Sequence, residues 1–299
     1  MKRFLVILGL GAALVAAMLA LGRGERETSP APQNKQDISS EHKERIRRFW
    51  EVYREATLSK QTGQWEQAAA GYREALAIDP RHEDALYYLG NALFELGRYE
   101  EAAAFWRQLA EVNPLSARAH AQLGAVYSCR APGAPFDLDI AEQECRRALA
   151  INQEESGPVL KLGEVLLLKG DLEQARSYFL AASRTNFKSV EAHYLAGYIA
   201  WRKGERAGAL SALQKAVILS QAERPPAGVP GEGDTKKKAA QPILSEGAGR
   251  KSSFTPYWSA LKDWKEGDAS PERTDAEYGR VDRLLRGLPA VARGAVSGS

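Results

Sequence analysis

The residues whose chemistry could carry a reaction are few. The chain has four histidines (His42, His82, His120, His193) and two cysteines (Cys129, Cys145), together with pairs of carboxylates such as Glu100-Glu101. Acid–base or nucleophilic work needs such a group beside a reacting partner, and a metal needs several ligands converging on one point. The spacing supplies neither. No Gly-x-x-x-x-Gly-Lys phosphate loop, Gly-x-Ser-x-Gly elbow or His-Glu-x-x-His zinc helix occurs. Acidic pairs such as Glu100-Glu101 fall at helix starts, where a negative charge favours the helix dipole. Two cysteines are too few for a four-cysteine zinc site or a disulfide framework. Cys129 ends one helix and Cys145 lies inside the next, about two turns out of register, whereas a bridge needs Cα atoms within about 7 Å. A bridge stays open but is disfavoured. The chain is expected to be no enzyme and to hold no cofactor or metal.

The elements that position these residues come from composition and period. In 299 residues, 41 Lys and Arg face 38 Asp and Glu, net +3, without the basic excess that a nucleic-acid partner requires. The hydrophobic share of 44% is enough to bury a core. Ala, Leu and Glu are abundant and β-branched residues sparse, which favours helix over sheet.

A fixed period organises the middle of the chain. Ala56, Gly90, Gly124, Gly163 and Gly197 follow one another at steps of 34, 34, 39 and 34 residues. Ala68, Ala102, Ala141, Ala175 and Ala209 step by 34, 39, 34 and 34. His120 and His193 share one column of the period, which reads as a packing position rather than a catalytic one. Turn glycines fall at Gly63, Gly97, Gly170 and Gly204, and closing prolines at Pro80 and Pro114. This pattern resembles the tetratricopeptide repeat, a helix-turn-helix of 34 residues. The second copy fits best, with Leu86, Leu89-Gly90, Leu93, Gly97, Tyr99, Ala102, Trp106 and Pro114 at the signature positions. The resemblance implies an all-α, right-handed solenoid of five helix-turn-helix repeats, at about 49–82, 83–116, 117–155, 156–189 and 190–220. Copy three carries five extra residues within Arg130-Ala-Pro-Gly-Ala-Pro-Phe-Asp137, expected to bulge from the hairpin tip, with Asp137 as N-cap of the next helix.

The flanks read differently. Phe4 to Leu21 is an unbroken apolar run behind Lys2 and Arg3. Its eighteen residues are just enough to cross a hydrocarbon core. A transmembrane signal-anchor is expected over 1–22, with a cleaved secretory signal as the alternative. The anchor would make this a single-pass protein of the inner, cytoplasmic membrane with its array on the extracytoplasmic (periplasmic) side; cleavage would make it secreted. A flexible tether follows over 23–40, then the array over 41–220. Residues 221–253, with Pro225-Pro226 and Lys236-Lys237-Lys238, read as a disordered linker. Short amphipathic helices are expected over 254–299: Ser270-Pro271 starts one, and Val281, Leu284, Leu285 and Leu288 give its apolar face. They either cap or self-dock on the last repeat, or form a docking element for another protein.

In tetratricopeptide arrays the first helix of each repeat lines a concave surface that binds peptides or helices. Carried onto this chain, those columns give Trp50 and Tyr53 from copy one, Tyr87, Asn91 and Phe94 from copy two, and Tyr194, Tyr198, Trp201 and Arg202 from copy five. Aromatics with polar tips dominate binding hot spots. Tyr87 stands where family members that clamp a terminal carboxylate carry lysine, so an apolar or amphipathic helical ligand fits better. The resemblance extends to bacterial envelope proteins. The expected function is a non-enzymatic, membrane-anchored scaffold that binds a peptide or helix of a partner protein in this groove, in envelope assembly or maturation. The alternative makes 254–299 the active docking element, displayed or regulated by the repeats.

Overall fold

A computed structural model describes residues 40–153, 156–222, 252–265 and 267–287. The chain divides into two compact units, Met1–Glu44 and Arg45–Ser299. Of the first, residues 40–44 are described and are helical. The second holds the array.

Twelve α-helices and no strand occur among the described residues. Ten form five successive hairpins: α1 (Ser40–Gln61) with α2 (Trp65–Ile78), α3 (Glu83–Glu95) with α4 (Tyr99–Val112), α5 (Ala117–Tyr127) with α6 (Leu138–Ile151), α7 (Ser156–Lys169) with α8 (Leu172–Thr185), and α9 (Val190–Arg202) with α10 (Arg206–Ala222). The short α11 (Thr255–Trp258) leads through a 3-10 turn (Ser259–Asp263) to α12 (Pro271–Arg286).

Four hairpins turn on Gly63, Gly97, Gly170 and Gly204, at φ of 73, 75, 90 and 80°. A side chain is strained there, which explains the glycine column. In copies two and four the small-residue column lets a large neighbour of the same hairpin close in. A Cβ on Gly163 would lie 2.7 Å from the Phe179 ring, and one on Gly90 would collide with the Trp106 indole. Trp106 and Phe179 are fully buried.

Copies three and four lack the closing proline, but their second helices still end sharply. Asp79, Asn113, Asn152 and Asn186 occupy one column and leave the helix with φ between −124 and −136°. Each donates its N–H to the carbonyl four residues back. In three of them the side-chain oxygen also accepts from the N–H two residues ahead, at 3.1–3.2 Å. These short polar side chains terminate the helix whether or not a proline follows.

The insertion in copy three closes on itself. Asp137 donates its N–H to Tyr127 O at 2.9 Å and accepts at its carboxylate from Asp139 and Ile140, both at 3.0 Å, so it caps α6. One apolar cluster joins copies one to three; a second joins copies three to five with Phe254, Leu261, Tyr278 and Val281 of the C-terminal segment. Tyr127 packs against both.

The expected membrane placement is corrected here. No helix among the described residues is long and apolar enough to cross a membrane. Only α1 (22 residues) is long enough, and Glu, Lys and Arg run along it. The apolar run at 4–21 lies outside the described residues, as do the tether at 23–39 and the linker residues 223–251. The anchored, extracytoplasmic localisation is therefore set aside.

Candidate functional site

At the N-terminal end of the array, α1 presents Phe49, Trp50 and Tyr53. Phe49 is buried against the His82 ring at 4.5 Å, and Trp50 stands edge-on to both Phe49 and Tyr53 at 5.2 and 5.7 Å. Trp50 nevertheless keeps 52% of its surface exposed. Tyr53 faces the Tyr72 ring at 5.6 Å, and burial followed by the Asp84 charge drives its phenol pKa above the ordinary range. On α3, Tyr87 lies under the Arg118 guanidinium at 4.9 Å and accepts from Gln122 at 3.0 Å. Arg118 also pairs with Asp84 at 2.6 Å. Aromatics and alternating charge thus run from α1 across α3 to α5; Phe49 and Tyr87 are buried, and Trp50 is the half-exposed member.

The other two expected groove residues of copy two are buried as well. Phe94 is 0% exposed, packed edge-on to Tyr99 at 5.0 Å and tilted to Trp106 at 6.0 Å. Asn91 is buried on the same helix. Phe94 packs on the second helix of its own hairpin, so it belongs to the core of copy two.

At the C-terminal end, the chain itself covers the four expected residues. Tyr194 donates its hydroxyl to Glu277 at 2.7 Å, and Tyr198 donates to Asp282 at 3.0 Å. Trp201 donates its indole N–H to Asp275 at 2.6 Å. Arg202 pairs with Asp282, and Arg206 with Asp275. Every acceptor belongs to α12. Tyr278, fully buried between these carboxylates, points its hydroxyl into the notch at Gly197 beside Ala212. Asp282 is buried, yet Arg286, Arg202 and Tyr198 outweigh the desolvation and hold its carboxyl below the usual range. Ser270 caps α12 by accepting from Arg273 N–H at 3.2 Å, with Pro271 in the first turn. The inward face of α12 is Thr274, Glu277, Tyr278, Val281 and Asp282, one turn earlier than the apolar stripe expected from Val281; Leu288 lies outside the described residues. Tyr278 stands three residues before Val281 and seven before Leu285, a helical spacing that the sequence already displays.

Beneath Ser252, which starts the C-terminal segment, lies a buried charge cluster. Lys161 and Glu164 of α7 pair directly, and Glu191 of α9 adjoins them. Burial works against the Glu164 charge, but Lys161 outweighs it and keeps the group ionised. Burial and the Glu164 charge together push Glu191 well above the carboxylate range, so it is held protonated. One lysine balances one carboxylate here, and the second goes neutral.

The other reactive side chains are spent on packing. Cys129 and Cys145 are buried and free, and burial pushes the Cys145 thiol up to about 12. His120 meets Glu144 at 2.6 Å, and Arg147 meets the other oxygen of that carboxylate at 2.9 Å. No group of three or more metal-ligating side chains converges among the described residues.

Comparison with known proteins agrees with this architecture. Residues 61–125 and 160–227 match tetratricopeptide repeat families. A solved MamA protein is similar at 21% identity and TM-score 0.51, over 61% of this chain and 98% of that one. MamA (41 to end) from Desulfovibrio magneticus RS-1 is similar at 17% identity and TM-score 0.52, over 60% of this chain and 98% of that one. At these identities the likeness is one of fold. No curated protein matches the chain. The glycine turns and the small-on-large columns agree with the two family matches: residues 61–125 and 160–227 of this array are similar to tetratricopeptide repeats.

Proposed function

We propose that this chain is a non-catalytic protein-interaction scaffold that holds a peptide or short helix of a partner on the first-helix face of copies one to three. Tetratricopeptide repeats serve as protein–protein interaction scaffolds, and the rigid stack here offers a surface rather than a reaction centre. One observation carries the reading. Trp50 keeps half its surface exposed although Phe49, Tyr53 and His82 hold its ring at defined angles. A half-exposed aromatic held beside Phe49, Tyr53 and His82 is the make-up of a binding hot spot. The described part of 254–299 turns its aromatic face onto the array, which favours this reading over one that makes that region a free docking element.

Affinity recovery of partners by the full chain, compared with its Trp50→Ala and Tyr87→Ala variants, tests the proposal. Both variants should lose about 2 kcal/mol or more of binding while keeping helicity by circular dichroism. Undiminished recovery by both variants overturns the assignment.

A further inference from the structure

Three recurring positions shape each seam between neighbouring repeats, one on the second helix of the earlier copy and one on each helix of the later copy. Between copies one and two they are Leu76, Leu86 and Phe105, and between copies three and four Leu149, Val159 and Tyr178. Between copies two and three they are Ala110, His120 and Glu144. One small and two polar residues thus stand where the flanking seams carry three large apolar ones. Protein interiors otherwise close to crystal-like density, but here a hollow of about 620 Å³ remains, bounded by α4, the start of α5 and α6. That volume falls within the range of ligand pockets, about 300–1,000 Å³. Ala110, Leu123 and Ile151 supply its apolar lining, and Arg107, Glu111 and Arg147 are the exposed members of its wall. His120 and Glu144 are each 7% exposed, and Arg147 donates to the Glu144 oxygen that His120 leaves free. Both oxygens of Glu144 are therefore used, and the pair fixes the Arg147 guanidinium at the mouth with most of its five N–H donors unspent. Arg107 donates only to the Ala103 carbonyl of its own helix, at 3.4 Å, and pairs with no carboxylate among the described residues. The last seam (Ser183, His193, Ala212) is small as well but has no such carboxylate, and His193 bonds the Phe187 carbonyl at 3.1 Å. A buried polar pair holds a seam no better than apolar side chains of the same volume. Cohesion here is exchanged for an open apolar hollow with two guanidiniums at its mouth.

We propose that this hollow binds a small organic carboxylate with an apolar body. The carboxylate is held by Arg107 and Arg147, whose planar forks match its two oxygens. The hydrocarbon or aryl part lies against Ala110, Leu123 and Ile151, where it leaves water. Glu111, one turn beyond Arg107 on α4, limits the positive charge at the mouth, so a single carboxylate matches the site better than a phosphate-like dianion. The second helices of copies two and three build most of this site. It is separate from the first-helix surface around Trp50 and does not depend on it.

Calorimetric titration of the full chain with octanoate, and with octanol as its uncharged counterpart, tests the proposal. Octanoate should bind saturably at one equivalent, and octanol roughly tenfold more weakly, since the charge-assisted hydrogen bonds are lost. Arg107→Gln, at an exposed position, should weaken octanoate roughly tenfold for the same reason. Ala110→Leu restores the residue that Leu76 and Leu149 hold in the same column; it should fill the hollow and remove binding while helicity is kept. Trp50→Ala should leave octanoate binding unchanged. The proposal is overturned by a lack of saturable binding up to the concentration at which octanoate itself aggregates, or by octanol binding as tightly as octanoate. Full affinity in Arg107→Gln, binding that survives in a folded Ala110→Leu chain, or loss of binding on Trp50→Ala overturns it as well. Should Ala110→Leu fail to fold, Arg107→Gln decides by itself.

Discussion

The two ends of the array use the same columns and finish them in opposite ways. Tyr87 of copy two corresponds to Tyr194 of copy five, Asn91 to Tyr198, Phe94 to Trp201 and Glu95 to Arg202. In copy two the next repeat covers the column, with Arg118 over Tyr87 and Gln122 bonded to it. Among the described residues no further repeat follows copy five, and α12 meets the column with carboxylates instead. At the opposite end, Trp50 and Tyr53 have no such cover among the described residues. A solenoid must hide the apolar face of its last repeat, and this one does so with a segment held by hydrogen bonds as well as by Tyr278. These columns are structural in the middle and self-occupied at one end; at the other, Trp50, one turn before Tyr53 and outside them, stays half exposed.

The comparison can be broken most severely in the interior. Trp106→Ala should cost about 3–5 kcal/mol in urea unfolding, because a fully buried ring leaves a cavity between α3 and α4. Tyr278→Ala, its counterpart at the Gly197 notch, should lose less globally and free α12 locally. Hydrogen exchange would then rise over 271–286 while copies one to three keep their protection; a uniform rise would show that the tail and the array melt as one unit.

Next in size comes the charge that ties α12 down. Asp282→Asn should cost about 1–3 kcal/mol of docking, read as exchange from α12. Because the folded pKa of Asp282 is depressed, its contribution is present above the ordinary aspartate range of about 3.9 and is lost as pH falls through the lower folded value. Exchange from α12 that is insensitive to acidification in that range would remove Asp282 from the seam.

Glu191 tests the opposite sign. Its folded pKa is raised, so its contribution is intact below the ordinary glutamate range of about 4.3 and is lost as pH rises towards the folded value. The groups facing it are Lys161 and Glu164 from α7 and Ser252 from the tail. Glu191→Gln should flatten the decline of the urea midpoint with rising pH and leave the chain more stable near neutrality. An unchanged slope would place the titration elsewhere.

The smallest stability effect belongs to the open end. Trp50→Ala should stay within about 0.5 kcal/mol of wild type in unfolding, since the ring is half in water. A larger loss would make Trp50 a packing residue and end the contrast.

Much of the array was legible before folding, for local reasons. Gly63 and Gly97 mark positive-φ turns, and Gly90 facing Trp106 is a steric pair that recurs at one period. Asp137 and Ser270 cap helices as their type and place suggest. The column Asp79, Asn113, Asn152 and Asn186 was equally available, and the absence of proline after the last two obscured it. The site was less legible. Phe94 and Trp201 share a column and a chemical type, yet one is core and the other a donor to Asp275.

The sequence by itself determined the helix-turn-helix period and the turn and cap positions, because these depend on spacing within tens of residues. Only the tertiary structure decided which columns remain open. That depends on where α12, about 80 residues beyond Tyr194 and Tyr198, comes to rest. No periodicity encodes that contact: it is set by the match between Glu277, Tyr278 and Asp282 and the donors and notch of the last repeat.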